Sequence, residues 1–269
     1  MERVEILKDI MDDVREYFLK DGNSYIIAPG YEYFREIITL YAKQHNLLES
    51  ILLLLDNNMS EEAYILTRTM INNYFLIGYL INDGENHNRL KKYHIQPVIS
   101  QIYLLKNMKN ILKTSPFKEN EQIQEMFKET EINKKINELK NFLKDNGFKQ
   151  DEKPFKIIDL AKHGFDRSFE MYATCYAEGS AYEHSDISSL DVYKKPVLDE
   201  YNKNEVFTLY LGATNEELKT KILNITSIVY CDCFNNIMKH ITEKEEHLKI
   251  NYDIDRLALT ATKVAVYFE

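Results

Sequence analysis

Residues 63–81 read AYILTRTMINNYFLIGYLI. The stretch is apolar nearly all the way round a helical wheel, which marks a helix enclosed by others rather than one laid on a surface. Polar groups inside such a helix carry information. Arg68 and Asn72 lie at i and i+4 and so share a face, and a buried arginine is rare unless a carboxylate or an anion satisfies its five donors. Two readings of Arg68 are open: a structural ion pair with an acid such as Glu49 or Glu62, or a clamp for an anionic ligand.

Working outward, Ser60 reads as the N-cap of this helix, with Glu61 and Glu62 in the first turn where acids complement the helix dipole. The preceding segment carries Phe34, Ile37, Tyr41, Leu48, Leu52 and Leu55 on or near one face and stops at Asp56-Asn57-Asn58, so the two helices are expected to form an antiparallel hairpin. Upstream, Val4, Leu7, Met11, Val14 and Phe18 form the stripe of a first helix ending near Asp21-Gly22, followed by a Pro29-Gly30 turn. Downstream, a short basic helix carries Arg89 to His94, and Pro97 breaks or restarts it ahead of a helix from Val98 to Lys113. Residues 118–146 read as one charged amphipathic helix with Ile123, Met126, Phe127, Ile136, Leu139 and Leu143 inside. Another helix runs from about Asp166 to His184.

Val206 to Leu211 is the one short strand-like run. Thr214 and Glu217 read as the capping box of a long helix whose Leu218, Ile222, Ile225, Val229, Cys233 and Ile237 face inward. A last helix places Ile254, Leu257, Ala261, Val264 and Phe268 on one stripe. All five prolines fall between such segments, where helices stop or start. The chain is therefore expected to be all-α: a multi-helix bundle with at most one short strand or hairpin near residues 205–212. At 269 residues it is read as a single helical domain, with flexible segments at 145–154 and at 186–204, the latter the longest expected loop.

Composition narrows the classes. The N-terminus, MERVEILKDIMDDVREYF, carries charges at every turn and lacks the apolar core of a secretory signal. The run ILLLL at 51–55 is far shorter than a membrane span, which needs roughly 20 residues. A cytoplasmic protein without membrane contact is expected. Three cysteines, Cys175, Cys231 and Cys233, are an odd count, and Cys-Asp-Cys lacks the Cys-x-x-Cys spacing of metal and redox sites, so they read as reduced structural thiols and no metal or cofactor is expected. A net charge of −9 argues against a general nucleic-acid coat. Locally the balance inverts: residues 86–118 contain no acid but hold Arg89, Lys91, Lys92, Lys106, Lys109, Lys113 and Lys118. Such an island reads either as an anion-binding patch or as a solvated face whose lysines pair with acids elsewhere.

Gly-rich phosphate loops, Gly-x-Ser-x-Gly elbows and His-Glu-x-x-His helices do not occur in the sequence. Two constellations remain. In YATCYAEGSAYEHSD, Tyr176, Ser180 and His184 recur at i, i+4, i+8 and share a helical face. In RLKKYH, Arg89 and His94 bracket four residues, with Lys91, Lys92 and Tyr93 between them. Metal-free phosphodiester cleavage needs a histidine to exchange a proton and an arginine to stabilise charge on phosphorus. On one continuous helix Arg89 and His94 point about 140° apart, so their convergence needs a helix end or a second subunit.

The stretch LLLLDNNMSEEAYILTRTMINNYFLIGYL, then Arg89-x-x-x-Tyr93, then Tyr176-x-x-x-Ser180-x-x-x-His184, resembles a bacterial all-helical family of unknown function, number 5677, over roughly residues 45–240. Where that family has an acid one turn after its helix arginine, this chain has Asn72. The Arg89 to His94 spacing is also similar to the Arg-x(4 to 6)-His motif of HEPN ribonucleases, helical proteins of toxin-antitoxin and phage-defence systems. That resemblance implies a homodimer acting on RNA; the basic island and the two histidines then give Arg89, His94 and His184 as catalytic candidates, with Arg68, Asn72, Tyr93, Tyr176, Ser180, Lys91 and Lys92 holding RNA or another phosphate-bearing ligand. The opposing expectation is a noncatalytic sensor or protein-interaction module in which Tyr, Ser, His and Arg form a buried structural network.

Overall fold

The computed structural model describes residues 2–18, 32–198, 205–210 and 215–244. The expected helix end at Asp21-Gly22, the Pro29-Gly30 turn, residues 199–204 of the expected loop, the Thr214 cap and the helix at 254–268 lie outside the described residues. Within them the chain is helical apart from one two-stranded antiparallel hairpin. It divides into two compact units, one of residues 1–82 with 157–269 and one of residues 83–156.

The larger unit is built on α2 (Glu32–Asp56) and α3 (Ser60–Ile81), with α1 (Glu2–Phe18) contributing Val4, Leu7, Met11 and Val14 to the core. The expected helical hairpin forms, and buried polar groups fix its antiparallel register. The Asn73 side-chain amide donates to the Leu40 carbonyl (2.6 Å) and to Gln44 Oε1 (2.9 Å), and Gln44 donates to the Met70 carbonyl (3.0 Å). Each of these buried amides is thereby satisfied, which removes a desolvation penalty of about 1–3 kcal/mol per group. Ser60 is the first helical residue rather than the cap. Met59 occupies the cap position without a side-chain bond, and the Met59 carbonyl closes the first turn by accepting from Ala63 N–H at 3.0 Å.

Enclosure of α3 is completed by α11 (Glu216–Lys244), whose expected inner stripe is buried at every position from Leu218 to Ile237. The Tyr74 hydroxyl donates to Asp232 Oδ2 (2.5 Å), and Tyr41 stacks on Tyr230 with ring centroids 5.4 Å apart. Cys231 and Cys233 are buried on this helix, and burial pushes the Cys231 thiol up to about 12. Another side of α3 is closed by α8 (Ile157–Lys162), α9 (Ser168–Met171), a π-helical turn (Tyr172–Tyr176) and α10 (Ala177–Glu183). This packing requires Gly78, because a Cβ there would sit 2.7 Å from the Phe165 backbone nitrogen.

A 3-10 helix (Ile187–Tyr193) leads into β1 (Lys194–Leu198), which pairs antiparallel with β2 (Glu205–Leu209), Lys194 opposite Leu209. The strand expected from residue 206 is thus β2. Its partner arises inside the segment read as a loop, where Pro196 is tolerated because an edge strand need not donate outward.

The smaller unit packs α4 (Asn88–His94), α5 (Gln96–Ile111), α6 (Glu121–Met126) and α7 (Glu129–Asp145) around Ile95, Ile99, Ile102, Leu112, Ile132, Ile136 and Leu143. Pro97 sits in the first turn of α5, where its missing N–H costs nothing. The single helix expected over 118–146 is broken. Asn120 caps α6 by accepting from Ile123 N–H (3.1 Å), the chain leaves the helix at Phe127-Lys128, and Met126, expected inside, is 72% exposed. At the end of α7, Gly147 adopts φ +80°, and the N–H groups of Gly147 and Phe148 return to the Lys144 and Leu143 carbonyls. The side chain of Phe148 packs on the same core, as a Schellman-type ending provides.

Candidate functional site

Arg68 projects from α3 toward the helix that carries the Tyr176, Ser180, His184 ladder. The approach is close because position 179 has no side chain: a Cβ on Gly179 would lie 3.1 Å from Arg68 Cβ. The guanidinium is held at two of its nitrogens. Nη2 donates to the Tyr176 hydroxyl (2.7 Å), Nη1 pairs with Glu183, and the guanidinium carbon lies 4.5 Å from the centroid of the Tyr176 ring. Only 13% of the Arg68 side chain is exposed, against 39% for Glu183. The ion pair thus has one largely buried and one solvent-reaching partner, and it compensates most of the desolvation of Arg68 while leaving the Glu183 carboxylate partly hydrated.

The π-helical turn sets this geometry. Inserting a wider turn at Tyr172–Tyr176 starts α10 with Tyr176 facing α3. It also stacks Tyr172 on Tyr176, with ring centroids 5.3 Å apart and planes 17° from parallel. Positions 176, 179 and 183 are then three and seven residues apart and lie on the α3 side. Beside the clamp, two buried polar atoms of α3 have no hydrogen-bond partner, Arg68 Nε and Asn72 Oδ1, a donor and an acceptor one turn apart.

Around this clamp the polar groups pair off. The Tyr64 hydroxyl donates to the Cys175 carbonyl (3.2 Å), with burial and then the nearby Glu178 pushing its pKa up. Lys221 pairs with Glu178, and the Tyr193 hydroxyl donates to Glu62 Oε1 (2.8 Å). Burial, followed by Glu62, raises the Tyr193 pKa as well, so these phenols stay protonated at neutral pH and serve as hydrogen-bond donors. Glu61 is 3% exposed, its Oε2 has no partner, and burial raises its carboxyl pKa.

The structure brings Arg68 and Tyr176 together, with Asn72 one turn further along α3 and Ser180 one turn further along α10. His184 stands apart from the buried part. It caps α10, and its side chain is 71% exposed. Its Nε2 lies 3.8 Å from Glu183 Oε2. That separation is beyond hydrogen-bond range. Ser180 and His184 are linked through the backbone, the His184 N–H donating to the Ser180 carbonyl at 3.1 Å. The expected buried Tyr/Ser/His/Arg network is therefore an Arg/Tyr/Glu network with the histidine outside it.

Arg89, Lys91, Lys92, Tyr93 and His94 belong to the other unit, all on α4 with His94 as its last residue. The acid-free stretch finds acids from elsewhere in that unit. Lys92 pairs with Glu152 (3.1 Å) and lies 5.8 Å over the Phe155 ring, while Lys109 and Lys113 share Glu129 (2.9 and 3.7 Å). These lysines hold Glu129 below its ordinary carboxylate value.

Glu183 and Gly179 are the site residues that sequence reading missed. Glu183 lies two turns beyond Tyr176, so extending the ladder to i+7 finds it; Glu49 and Glu62, the acids named for Arg68, serve Arg15 (3.9 Å) and Tyr193 instead. No helix among the described residues is long and apolar enough to cross a membrane. Neither a curated protein nor a solved structure matches the chain. A family model described as a family of unknown function (DUF5677) matches residues 36–202, more than half of the 269 residues.

Proposed function

From the premise that the chain belongs to the family of unknown function DUF5677, we propose that it works as a noncatalytic protein-interaction module whose Arg68, Tyr176 and Glu183 clamp fixes the register of α3 against α10. One observation carries this reading: both terminal nitrogens of Arg68 are already engaged by groups of the chain itself. An arginine in that state stabilises a helix contact, and a phosphate would have to displace Glu183 to reach it. Pairing of Lys92 with Glu152, and of Lys109 and Lys113 with the one carboxylate of Glu129, supports the same reading, since lysines engaged by carboxylates release fewer counterions on meeting a polyanion. Free, largely buried cysteines fit a cytoplasmic setting.

A second reading is a metal-independent, HEPN-like ribonuclease of a defence or toxin system, working as a homodimer. It is favoured by the exposed His184 imidazole beside a carboxylate that Arg68 anchors, an arrangement suited to proton exchange with an RNA 2′-hydroxyl. Fluorescence anisotropy with a short labelled single-stranded RNA separates the two. The interaction-module reading predicts no saturable binding between about 50 and 200 mM salt, the range over which phosphate contacts reveal themselves by a steep fall in affinity. Tight binding that Lys91→Ala and Lys92→Ala weaken would overturn it in favour of the nuclease.

A further inference from the structure

We propose that the cavity between α1 and α2 is a binding site for a small uncharged aromatic molecule whose polar end both donates and accepts hydrogen bonds. Its volume is about 340 Å³. That is within the range of small-molecule sites and enough for one or two rings. It lies in the larger unit, apart from the Arg68 clamp, and the proposal does not depend on how that clamp is read.

One end of the cavity is apolar and ring-lined. Tyr41 forms its wall with Ile38 and Phe18, the Phe18 and Tyr41 centroids standing 5.8 Å apart at 41°. Such a surface receives a flat ring by offset or edge contacts worth about 0.5–1.5 kcal/mol beyond simple burial. Tyr41 is 2% exposed, with its hydroxyl buried beside that of Tyr230.

The other end is polar, and its charge selects the ligand. Arg15 stands between Asp12 (3.4 Å) and Glu49 (3.9 Å). One cation thus meets two carboxylates, and an anionic ligand would face net repulsion. His45 adds no positive charge at neutral pH, because burial and then the adjacent Arg15 lower its pKa. The Arg15 guanidinium lies 3.4 Å from His45 Nε2, and His45 Nδ1 lies 2.8 Å from the Tyr230 hydroxyl. A guanidinium only donates, so Nε2 is the acceptor and the proton on Nδ1 is donated to Tyr230. With Nη1 on Asp12 and Nη2 on His45 and Glu49, what remains at this end is the rest of the Arg15 N–H donors and the second carboxylate oxygen of Glu49, which an amide or a heteroaromatic edge engages.

Isothermal titration calorimetry of the full chain with benzamide, benzoate and benzylammonium tests this. Benzamide is expected to bind saturably, with benzoate at least about tenfold weaker, a difference of about 1.4 kcal/mol. Ala42→Trp, at the exposed rim of the cavity, should weaken benzamide by at least about tenfold, with an unchanged circular dichroism spectrum. Glu49→Gln, on the solvent side, should narrow the gap between benzamide and benzoate. No saturable benzamide binding, benzoate or benzylammonium binding as tightly as benzamide, or an Ala42→Trp protein that folds and binds undiminished would each overturn the proposal.

Discussion

Replacing Arg68 by Met and Glu183 by Gln, singly and together, isolates the energy of the clamp. Methionine keeps most of the aliphatic stem that packs over Gly179, and glutamine keeps an acceptor without the charge, so the cycle reports the ion pair rather than lost volume. Exposed pairs are worth about 0.2–1 kcal/mol, whereas removing one partner of a fully buried pair costs about 3–5 kcal/mol. With Arg68 13% and Glu183 39% exposed, this pair falls between those limits. Screening at the carboxylate moves it toward the lower one. A coupling energy of about 1–1.5 kcal/mol is expected. Arg68→Met alone also forfeits the Tyr176 hydroxyl bond and the cation–π contact. Its total cost is then about 2 kcal/mol. For a chain of this size that is a fall in melting temperature of about 4–8 °C. Urea and thermal unfolding followed by circular dichroism measure all four proteins. Additivity within about 0.3 kcal/mol would refute the clamp as a stabilising unit.

Gly78→Ala should lower stability by about 2 kcal/mol, the cost of forcing a methyl into the Phe165 backbone after about 1 kcal/mol of helix propensity is regained. Gly84→Ala, where a Cβ meets nothing within 4 Å, should be neutral or slightly stabilising, and a Gly78→Ala protein with an unchanged melting temperature would contradict the packing of α3. Glu61→Gln should stabilise the protein by about 1 kcal/mol at pH 7. The sign follows from burial: the folded carboxyl titrates above its ordinary value of 4.5. The wild type is therefore at no disadvantage below that value and loses stability as pH rises through the folded pKa. A melting-temperature difference between Glu61→Gln and wild type that is the same at pH 4 and pH 7 would show that the buried charge is not the cause.

Much of the fold was legible because period and burial coincide. The all-round apolar character of residues 63–81 correctly marked α3 as enclosed, and the stripe from Leu218 to Ile237 is buried as its spacing requires. The break at Phe127-Lys128 was hidden because Ile123, Met126 and Phe127 continue a helical period, while the Gln124 side chain that bonds to the Leu112 and Phe117 carbonyls (2.9 Å each) ties α6 to residues outside that period. β1 was hidden by its proline and neighbouring turn formers. At the site, Arg68 was marked by its setting, but its partner was sought at Glu49 and Glu62, and Glu183 lies 115 residues away in sequence. Nothing in YATCY distinguishes a π turn from an α turn, and that turn brings Tyr176 to face α3. His184 shares the ladder spacing yet falls at the C-cap of α10, where the helix ends and the side chain meets solvent.

The central claim, that Arg68 clamps helices rather than phosphate, is tested most directly by incubating purified protein with varied RNA substrates in EDTA beside Arg68→Met, Arg89→Ala, His94→Ala and His184→Ala proteins checked for folding. The account predicts no cleavage by any of them, with His184→Ala keeping the wild-type melting temperature because its side chain lies outside the buried network. Cleavage by the wild type that disappears in folded His184→Ala or Arg68→Met protein would contradict it and assign the site to metal-free RNA hydrolysis.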